Sequence, residues 1–476
     1  MVWTAIQKFS KMGIGFITGI ILARLLTPHD YGCIGMLTIF VTVAETFIDS
    51  GFGSALIQKK RPTQIDYCTI FYWNLGLALV MYIILYLLSP AISKFYDIPL
   101  LNNVLRVEGL ILFFYALNII QRNQLKKQLK FKVLATVRIV TLIINLVVTI
   151  TMAYLGFGVW ALVTQNLLNA GIPTVILWGY AKWKPTWVFS WKSFKELFSF
   201  GFYMFLTHVI NKICTQIQGL LIGKFYNPST LGYYSKAMAT ERLASGTFTG
   251  VMTSVTFPLY AEVQDDLPQM QNMIKRLTST TSFLTFPLLG ILLLVAKPLF
   301  IFLYSERWID SIPYFQILCI AGMGGCLTSI NTQCIAAIGR SKTMFTWTII
   351  KRVVGICFMI GGLVLFGMYG LLIGVIINYW FSYFVNIWLV SKYIGYKWTT
   401  QVMDLLPIII VTSIAGAGSY LCCNFLGLSL YLDGLLKLIL FSLLYVGWFI
   451  LFKPESYLYT KEVLTPLINK YKNKRK

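Results

Sequence analysis

The sequence predicts an all-α integral membrane protein with about fourteen transmembrane helices, and three observations predict this class. Of the 476 residues, 57% are hydrophobic and 12% are charged, and the mean hydropathy is +0.72. The apolar residues form long blocks of about 20, the length that a helix needs to cross a bilayer. The 40 basic residues, against 17 acidic ones, lie mostly between these blocks. A soluble protein and a nucleic-acid-binding protein are therefore both excluded.

The apolar blocks follow one another along the chain with connections of roughly ten residues. The first block begins without a basic segment or a small-residue cleavage site, so we expect it to stay in the mature protein. The predicted helices lie at 3–26, 31–57, 68–92, 104–122, 133–154, 157–179, 197–223, 231–260, 277–296, 312–337, 345–366, 369–391, 402–424 and 431–452.

The distribution of basic residues predicts the orientation of these helices, because Lys and Arg in short loops are retained on the cytoplasmic side. If the N-terminus is inside, the inside connections and the C-terminal tail hold 25 of the 40 basic residues, and the outside connections hold 6. We therefore expect both termini to be cytoplasmic.

The chain repeats itself at an offset of 200 residues. ILARLLTPHDYG at 21–32 aligns with LIGKFYNPSTLG at 221–232, so that Pro28 pairs with Pro228 and Gly32 with Gly232. Each half then contains six helices. Because six is even, both halves enter the membrane from the same side and are related by an axis along the membrane normal.

This repeat predicts the domain organisation. We expect an N-terminal six-helix lobe at 1–195, a C-terminal six-helix lobe at 196–400, an appended helix pair at 401–452 and a basic cytoplasmic tail at 453–476. Two parallel lobes that enclose a central space are typical of alternating access.

Basic residues also lie within the predicted helices, where an ionised side chain at the bilayer centre costs about 3 kcal/mol. Most of them must therefore face each other or water. Polar residues recur at intervals of three or four, which places them in stripes on the helices. A cavity with surplus positive charge suits a phosphate group, which accepts charge-assisted hydrogen bonds. The predicted substrate-binding residues are Lys8, Lys11, Arg138, Lys212, Lys236 and Arg242.

Acidic residues in the helices predict ion pairing or coupling to a gradient of H⁺ or Na⁺. These residues are Glu45, Asp49 and Glu241. For the first two, pairing with nearby lysines is the alternative to a proton or sodium site. For Lys8 and Lys11, the alternative is snorkelling to the headgroups.

No cofactor, metal site or catalytic residue is predicted. The two histidines are far apart in sequence, and the nine cysteines show no CxxC spacing, so most cysteines are expected to be small buried hydrophobic residues. No Walker A sequence occurs, and no nucleophile lies beside a base.

Seven stretches carry a resemblance to a known family, and they lie in the first 266 residues. They are LARLLTPHDYG (22–32), DSGFGSALIQKK (49–60), KFYDIPLL (94–101), LKKQLKFKVLA (125–135), LGFGVWALVTQ (155–165), LLIGKFYNPSTLGYYSKA (220–237) and FPLYAEVQDD (257–266). They resemble the polysaccharide transporters, the Wzx-type flippases of O-antigen and lipopolysaccharide biosynthesis within the multidrug/oligosaccharidyl-lipid/polysaccharide exporter superfamily.

The resemblance implies a MATE- and MurJ-like fold in the bacterial inner membrane. It also implies a flippase that moves undecaprenyl-diphosphate-linked oligosaccharide repeat units to the periplasmic leaflet for surface polysaccharide assembly. The implied partners are this lipid-linked substrate, membrane lipids, and a polysaccharide polymerase with its chain-length machinery. Many relatives have an acidic residue just before the LLIG run, where this chain has Gln218.

Two other functions are the alternatives. A multidrug exporter of the same superfamily would carry excess carboxylate in its cavity, and cells that lack it would become drug-sensitive. A membrane polysaccharide polymerase would need a sizeable periplasmic loop with catalytic residues, whereas the longest outside connections here have about 15 residues.

Overall fold

The computed structural model describes residues 2–49, 52–181 and 183–452. Every regular element in these residues is helical, which confirms the predicted all-α class. The chain divides into two compact units, of which the first ends at Ser235 and the second begins at Lys236. The lobe boundaries predicted at 195/196 and 400/401 stay predictions.

The first unit contains nine helices and the start of a tenth. They are α1 (Val2–Leu25), α2 (Pro28–Asp49), α3 (Phe52–Gln58), α4 (Gln64–Tyr96), α5 (Leu100–Glu108), α6 (Ile111–Lys127), α7 (Phe131–Tyr154), α8 (Val159–Ala181), α9 (Trp191–Phe225) and α10 (Pro228–Glu262). The second unit continues α10 and adds α11 (Leu267–Leu294), α12 (Ala296–Tyr304), α13 (Ser311–Ala337), α14 (Ser341–Ile394), α15 (Trp398–Asn424) and α16 (Leu430–Phe452).

Eleven helical segments of the described residues are long and apolar enough to cross a membrane, with α5 and α6 counted together as the segment Leu100–Lys127. One of them, α14, folds back at Gly367, whose φ of 63° and ψ of −142° are available to glycine, and so supplies two segments. Around this reversal, Gly362 lies against the carbonyl of Gly370. Two further helices, α9 and α10, have 35 residues each. Counted together with the two segments of α14, the described helices are compatible with the predicted fourteen spans.

One predicted helix, at 104–122, is in fact two helices, α5 and α6. At Gly109 the backbone bonds shorten to three-residue steps, from Leu110 N to Val107 O and from Leu112 N to Gly109 O, both at 3.1 Å. A Cβ on Gly109 would lie 3.1 Å from the ring of Tyr82, so the glycine permits this close packing. The break places Glu108 at the end of its own short helix.

The repeated Pro-x-x-x-Gly segments pack against each other within the first unit. A Cβ on Gly32 would overlap the backbone carbonyl of Pro228, and a Cβ on Gly232 would overlap that of Pro28. Only glycine allows backbones to approach this closely. The reciprocal contact matches the 200-residue repeat in the sequence.

Candidate functional site

A cavity of about 1000 Å³ lies inside the first unit, lined mainly by α1, α2, α6, α7 and α8. Its charged residues are Lys11, Arg122, Lys126, Arg138, Glu45 and Glu108. The four basic residues, which we call the basic collar, come from α1, α6 and α7. The neutral polar residues include Tyr115, Asn118, Asn166 and Asn169.

The side chains of the basic collar lie close enough to repel one another. Lys11 is repelled by both Arg138 and Arg122, and Arg122 also repels Lys126 and Arg138. Within residues 2–49, 52–181 and 183–452, none of the four side chains forms a hydrogen bond or a salt bridge. Because clustered like charges cost free energy, this cluster favours the binding of a polyanion.

Two carboxylates balance part of this charge. Glu108 is 3% exposed, and its Oε1 accepts a hydrogen bond from Nδ2 of Asn166 at 2.8 Å. Glu45 on α2 is attracted by the ammonium of Lys212 and repelled by Glu108. The large cavity therefore has four basic side chains against two acidic ones.

A smaller cavity of about 300 Å³ adjoins the first, and the two share Glu45, Arg122 and Lys126. It adds Asp49 of α2 and Lys212 of α9 to the charged lining, together with His208. The two cavities thus bring basic residues from four helices to one region of the first unit.

The structure brings together five of the nine predicted site residues. Lys11, Arg138 and Glu45 line the large cavity, and Asp49 and Lys212 line the smaller one. Lys8 is exposed on α1 and lines neither cavity.

The other three predicted residues, all on α10, belong to the second unit. The Lys236 ammonium lies 4.2 Å from the ring centroid of Tyr304 and 5.6 Å from that of Trp308, so aromatic faces stabilise its charge. Glu241 is buried against Gly322 and interacts electrostatically with Arg242, which is exposed.

The sequence analysis missed Arg122 and Lys126, which it placed in a cytoplasmic connection. In the structure α6 continues to Lys127, and its lining residues recur every three or four positions: Ile111, Tyr115, Asn118, Arg122 and Lys126. Because this periodicity continues beyond the end of the apolar block, it identifies Arg122 and Lys126 as residues on the same face of the helix.

The described residues contain no group of three or more His, Cys, Asp and Glu side chains that could hold a metal ion. Gln218 accepts a hydrogen bond from the hydroxyl of Tyr234. The region before the LLIG run is therefore tied to α10 by a neutral contact.

Comparisons with known sequences find relatives in polysaccharide biosynthesis. A family model described as "Polysaccharide biosynthesis protein" matches residues 21–313, which is more than half of the chain. The teichuronic acid biosynthesis protein TuaB of Bacillus subtilis (strain 168) is 24% identical over 347 residues, which is 72% of each chain. The lipopolysaccharide biosynthesis protein WzxC of Escherichia coli (strain K12) is 24% identical over 391 residues, covering 81% of this chain and 80% of that protein.

Comparisons with solved structures show the fold. An inward closed conformation of the lipid II flippase MurJ matches with a TM-score of 0.72 and 16% identity, over 94% of this chain and 99% of that chain. An inward-facing multidrug resistance transporter of the MATE family matches with a TM-score of 0.64 and 16% identity, over 81% of this chain and 94% of that chain. The predicted MATE- and MurJ-like architecture is confirmed, and these neighbours are transporters and flippases rather than enzymes.

Proposed function

The chain belongs to the polysaccharide biosynthesis protein family, and we propose that it is a flippase for undecaprenyl-diphosphate-linked oligosaccharide repeat units. Relatives at 24% identity are named for teichuronic acid and lipopolysaccharide biosynthesis, and a relative from Rhizobium meliloti (strain 1021) is named a succinoglycan biosynthesis transport protein. The fold is shared with a lipid II flippase. Polysaccharide biosynthesis is what the names of these relatives have in common.

The observation that carries this proposal is the basic collar. Four mutually repelling basic side chains, without salt bridges among the described residues, line one cavity inside a membrane protein. A diphosphate supplies the negative charge that relieves their repulsion and accepts several hydrogen bonds from Lys and Arg at once. Lys212, in the adjoining cavity, adds a fifth basic group.

The proposed mechanism is alternating access. The collar lies where α1 begins and α6 ends, and we assign this end to the cytoplasm because the excess of basic connections predicts it. The diphosphate and its glycan enter the cavity from that side, and the polyprenyl tail stays in the lipid. Substrate contacts by Lys236 and Arg242, predicted from the sequence, belong to the same proposal.

A driving force is needed, because a substrate bound equally well on both sides shifts no equilibrium. We propose coupling to an H⁺ or Na⁺ gradient, with Glu45, Asp49 and Glu241 as the candidate carboxylates. The proposed location is the bacterial inner membrane with both termini in the cytoplasm. The proposed partners are a polysaccharide polymerase and its chain-length machinery.

The test is a flipping assay with the purified chain in proteoliposomes that contain fluorescent polyprenyl diphosphate glycan. Arg122→Glu with Arg138→Glu should reduce the flipping rate at least about 100-fold, because the reversed charges repel the diphosphate. Lys60→Glu with Lys130→Glu makes the same change of charge at two exposed lysines outside the cavity, and it should flip at the wild-type rate.

Three results would overturn the proposal: flipping by the reversed collar variant, equal losses in both variants, or no flipping by the wild-type chain. Deletion of the gene in its own cells separates the alternative. Loss of surface polysaccharide supports the flippase, whereas drug sensitivity with intact polysaccharide indicates a multidrug exporter.

A further inference from the structure

The large cavity has two chemically different ends. On α6 the lining residues run from Ile111 to Lys126, and at 1.5 Å per residue Ile111 and Arg122 lie about 16 Å apart along the axis. Glu108 lies just before Ile111, at the end opposite to the collar. The depth of each lining residue therefore follows from its position along its helix.

The hydrogen bonds that α8 forms with α5 and α6 give the same order for α8. Asn166 donates to Glu108 at one end, and farther along Asn118 donates to Thr174 and Trp178 donates to the carbonyl of Leu117. Sequence numbers rise together on the two helices, so they are parallel. Asn166 and its neighbour Asn169 consequently lie toward the Glu108 end.

Helix α7 runs in the opposite direction beside α8. Asn145 donates to the carbonyl of Gln165, which is next to Asn166 in sequence. Arg138 lies seven residues, about 10 Å, before Asn145 on α7. It therefore lies on the collar side of the cavity, as its repulsion of Lys11 requires.

The end that Glu108, Asn166 and Asn169 form, which we call the polar floor, offers hydrogen-bond acceptors. Oε2 of Glu108 and Oδ1 of Asn169 are inaccessible to solvent and have no hydrogen-bond partner among the described residues. Both residues line the cavity. A buried polar atom without a partner costs free energy. A turn of either side chain that presents its oxygen to a hydrogen-bond donor in the cavity therefore stabilises the site.

We propose that the polar floor binds the saccharide of the lipid-linked substrate while the basic collar holds its diphosphate, an inference that rests on the proposed function. The hydroxyl and acetamido N–H groups of a sugar donate hydrogen bonds, and the side-chain oxygens of Glu108 and Asn169 accept them. The floor contains no basic residue, so the diphosphate stays at the collar and the substrate binds in one orientation with its sugar deepest. Glu108, Asn166 and Asn169 thus select for the glycan.

The experiment measures binding of two probes to the purified full chain in nanodiscs. One probe is synthetic undecaprenyl diphosphate, and the other is the polyprenyl diphosphate glycan purified from cells that express the chain. The wild-type chain should bind the glycosylated lipid at least about tenfold more tightly, since each added hydrogen bond to a buried acceptor contributes to binding. Glu108→Ala with Asn169→Ala should lose this preference and bind the bare lipid at least as tightly as the wild-type chain does.

The matched control is Asn103→Ala with Glu262→Ala, two exposed residues outside the cavity that should leave the preference unchanged. Glu108→Gln, which keeps the shape of the side chain, serves if the alanine variant does not fold, and it should reduce the preference at least about threefold.

The outcomes separate the two proposals. A folded floor variant that retains the preference, or that weakens both lipids equally, overturns the saccharide assignment. If the variant Arg122→Glu with Arg138→Glu binds the bare lipid as tightly as the wild-type chain does, the diphosphate site is overturned, and the proposed function with it.

Discussion

The two units differ in how they accommodate basic side chains inside the membrane. In the second unit, Lys351 donates to Oδ1 of Asn386 at 2.7 Å, and Lys437 lies 2.6 Å from Asp433. In that unit Lys236 likewise lies against an aromatic ring. In the first unit no side chain of the basic collar forms a salt bridge among the described residues, although Asp49 attracts Lys126 from the adjoining cavity.

This difference separates charges that have protein partners from charges that we propose bind a ligand. A buried charge is normally retained with a partner, because an unpaired one costs several kcal/mol. The second unit follows that rule. The collar meets a different condition, because Lys11 and Arg122 are exposed and Lys126 and Arg138 are half-buried. Water therefore solvates these charges until a ligand supplies a partner.

The largest effect should come from depriving a cation of the second unit of its partner. Asn386 is 1% exposed, and its Nδ2 also donates to Oγ1 of Thr332 at 2.9 Å. Asn386→Leu keeps the branching of the side chain but removes the acceptor of Lys351, so the free energy of unfolding should fall by about 2 to 3 kcal/mol. Thermal unfolding in detergent measures this loss.

A second variant tests the cause of that loss. Lys351→Met in the Asn386→Leu background removes the orphaned ammonium and should restore more than half of the stability. If the double variant is as unstable as Asn386→Leu alone, the partner of Lys351 does not explain the stability, and the contrast between the units fails.

The opposite sign is expected in the first unit. Arg122→Gln with Arg138→Gln relieves repulsion, so the ligand-free chain should gain about 1 kcal/mol, a rise of about 2 °C in the thermal midpoint. Inorganic pyrophosphate should stabilise the wild-type chain and not this variant. Salt at 1 M should remove the difference between them, because it screens the repulsion.

The control for this gain is Lys60→Gln with Lys130→Gln, which removes two exposed lysines outside the cavity and should leave the midpoint unchanged. A loss of stability in the collar variant would show that these arginines have structural partners, and the collar would then resemble the second unit.

The fold was predictable because the bilayer imposes one physical requirement on every span. About 20 apolar residues are needed for each crossing, so composition alone locates the helices, including the pair that meets at Gly367. The break between α5 and α6 was not predictable in this way. It depends on packing of Tyr82 against Gly109, a contact between distant parts of the chain.

The cavity was predictable only in part. Arg138, Lys11 and Glu45 were identified because they interrupt apolar blocks. Arg122 was missed because hydropathy averages over all faces of a helix and so ends the span where one face becomes polar. Glu108 was not predicted as a site residue because it lies at a helix end, and its contact with Asn166 joins residues that are 58 positions apart in the sequence.

The smallest change in stability is expected for a lysine of the first unit that lies outside the cavity. It tests whether basic side chains lack partners only in the cavity or throughout the first unit. Lys59 Nζ lies 3.1 Å from Asp66 Oδ1 and 3.1 Å from Glu196 Oε2. Burial lowers the pKa of Lys59, but these two carboxylates outweigh it and raise the pKa above the ordinary value. The folded state therefore binds this proton more tightly than the unfolded state does.

Lys59→Met should consequently reduce stability by less than about 1 kcal/mol at pH 7 to 9, as expected for a partly exposed ion pair. Because the folded-state pKa is raised, the contribution is complete below the unfolded pKa of about 10.4 and disappears as the pH rises through the folded value. The neighbouring Lys60→Met, at an exposed lysine, should change stability at no pH. If the two variants change stability equally at every pH, the ion pairs of Lys59 contribute nothing. Lysines outside the cavity would then lack effective partners as the collar does, and the absence of partners would no longer distinguish the cavity.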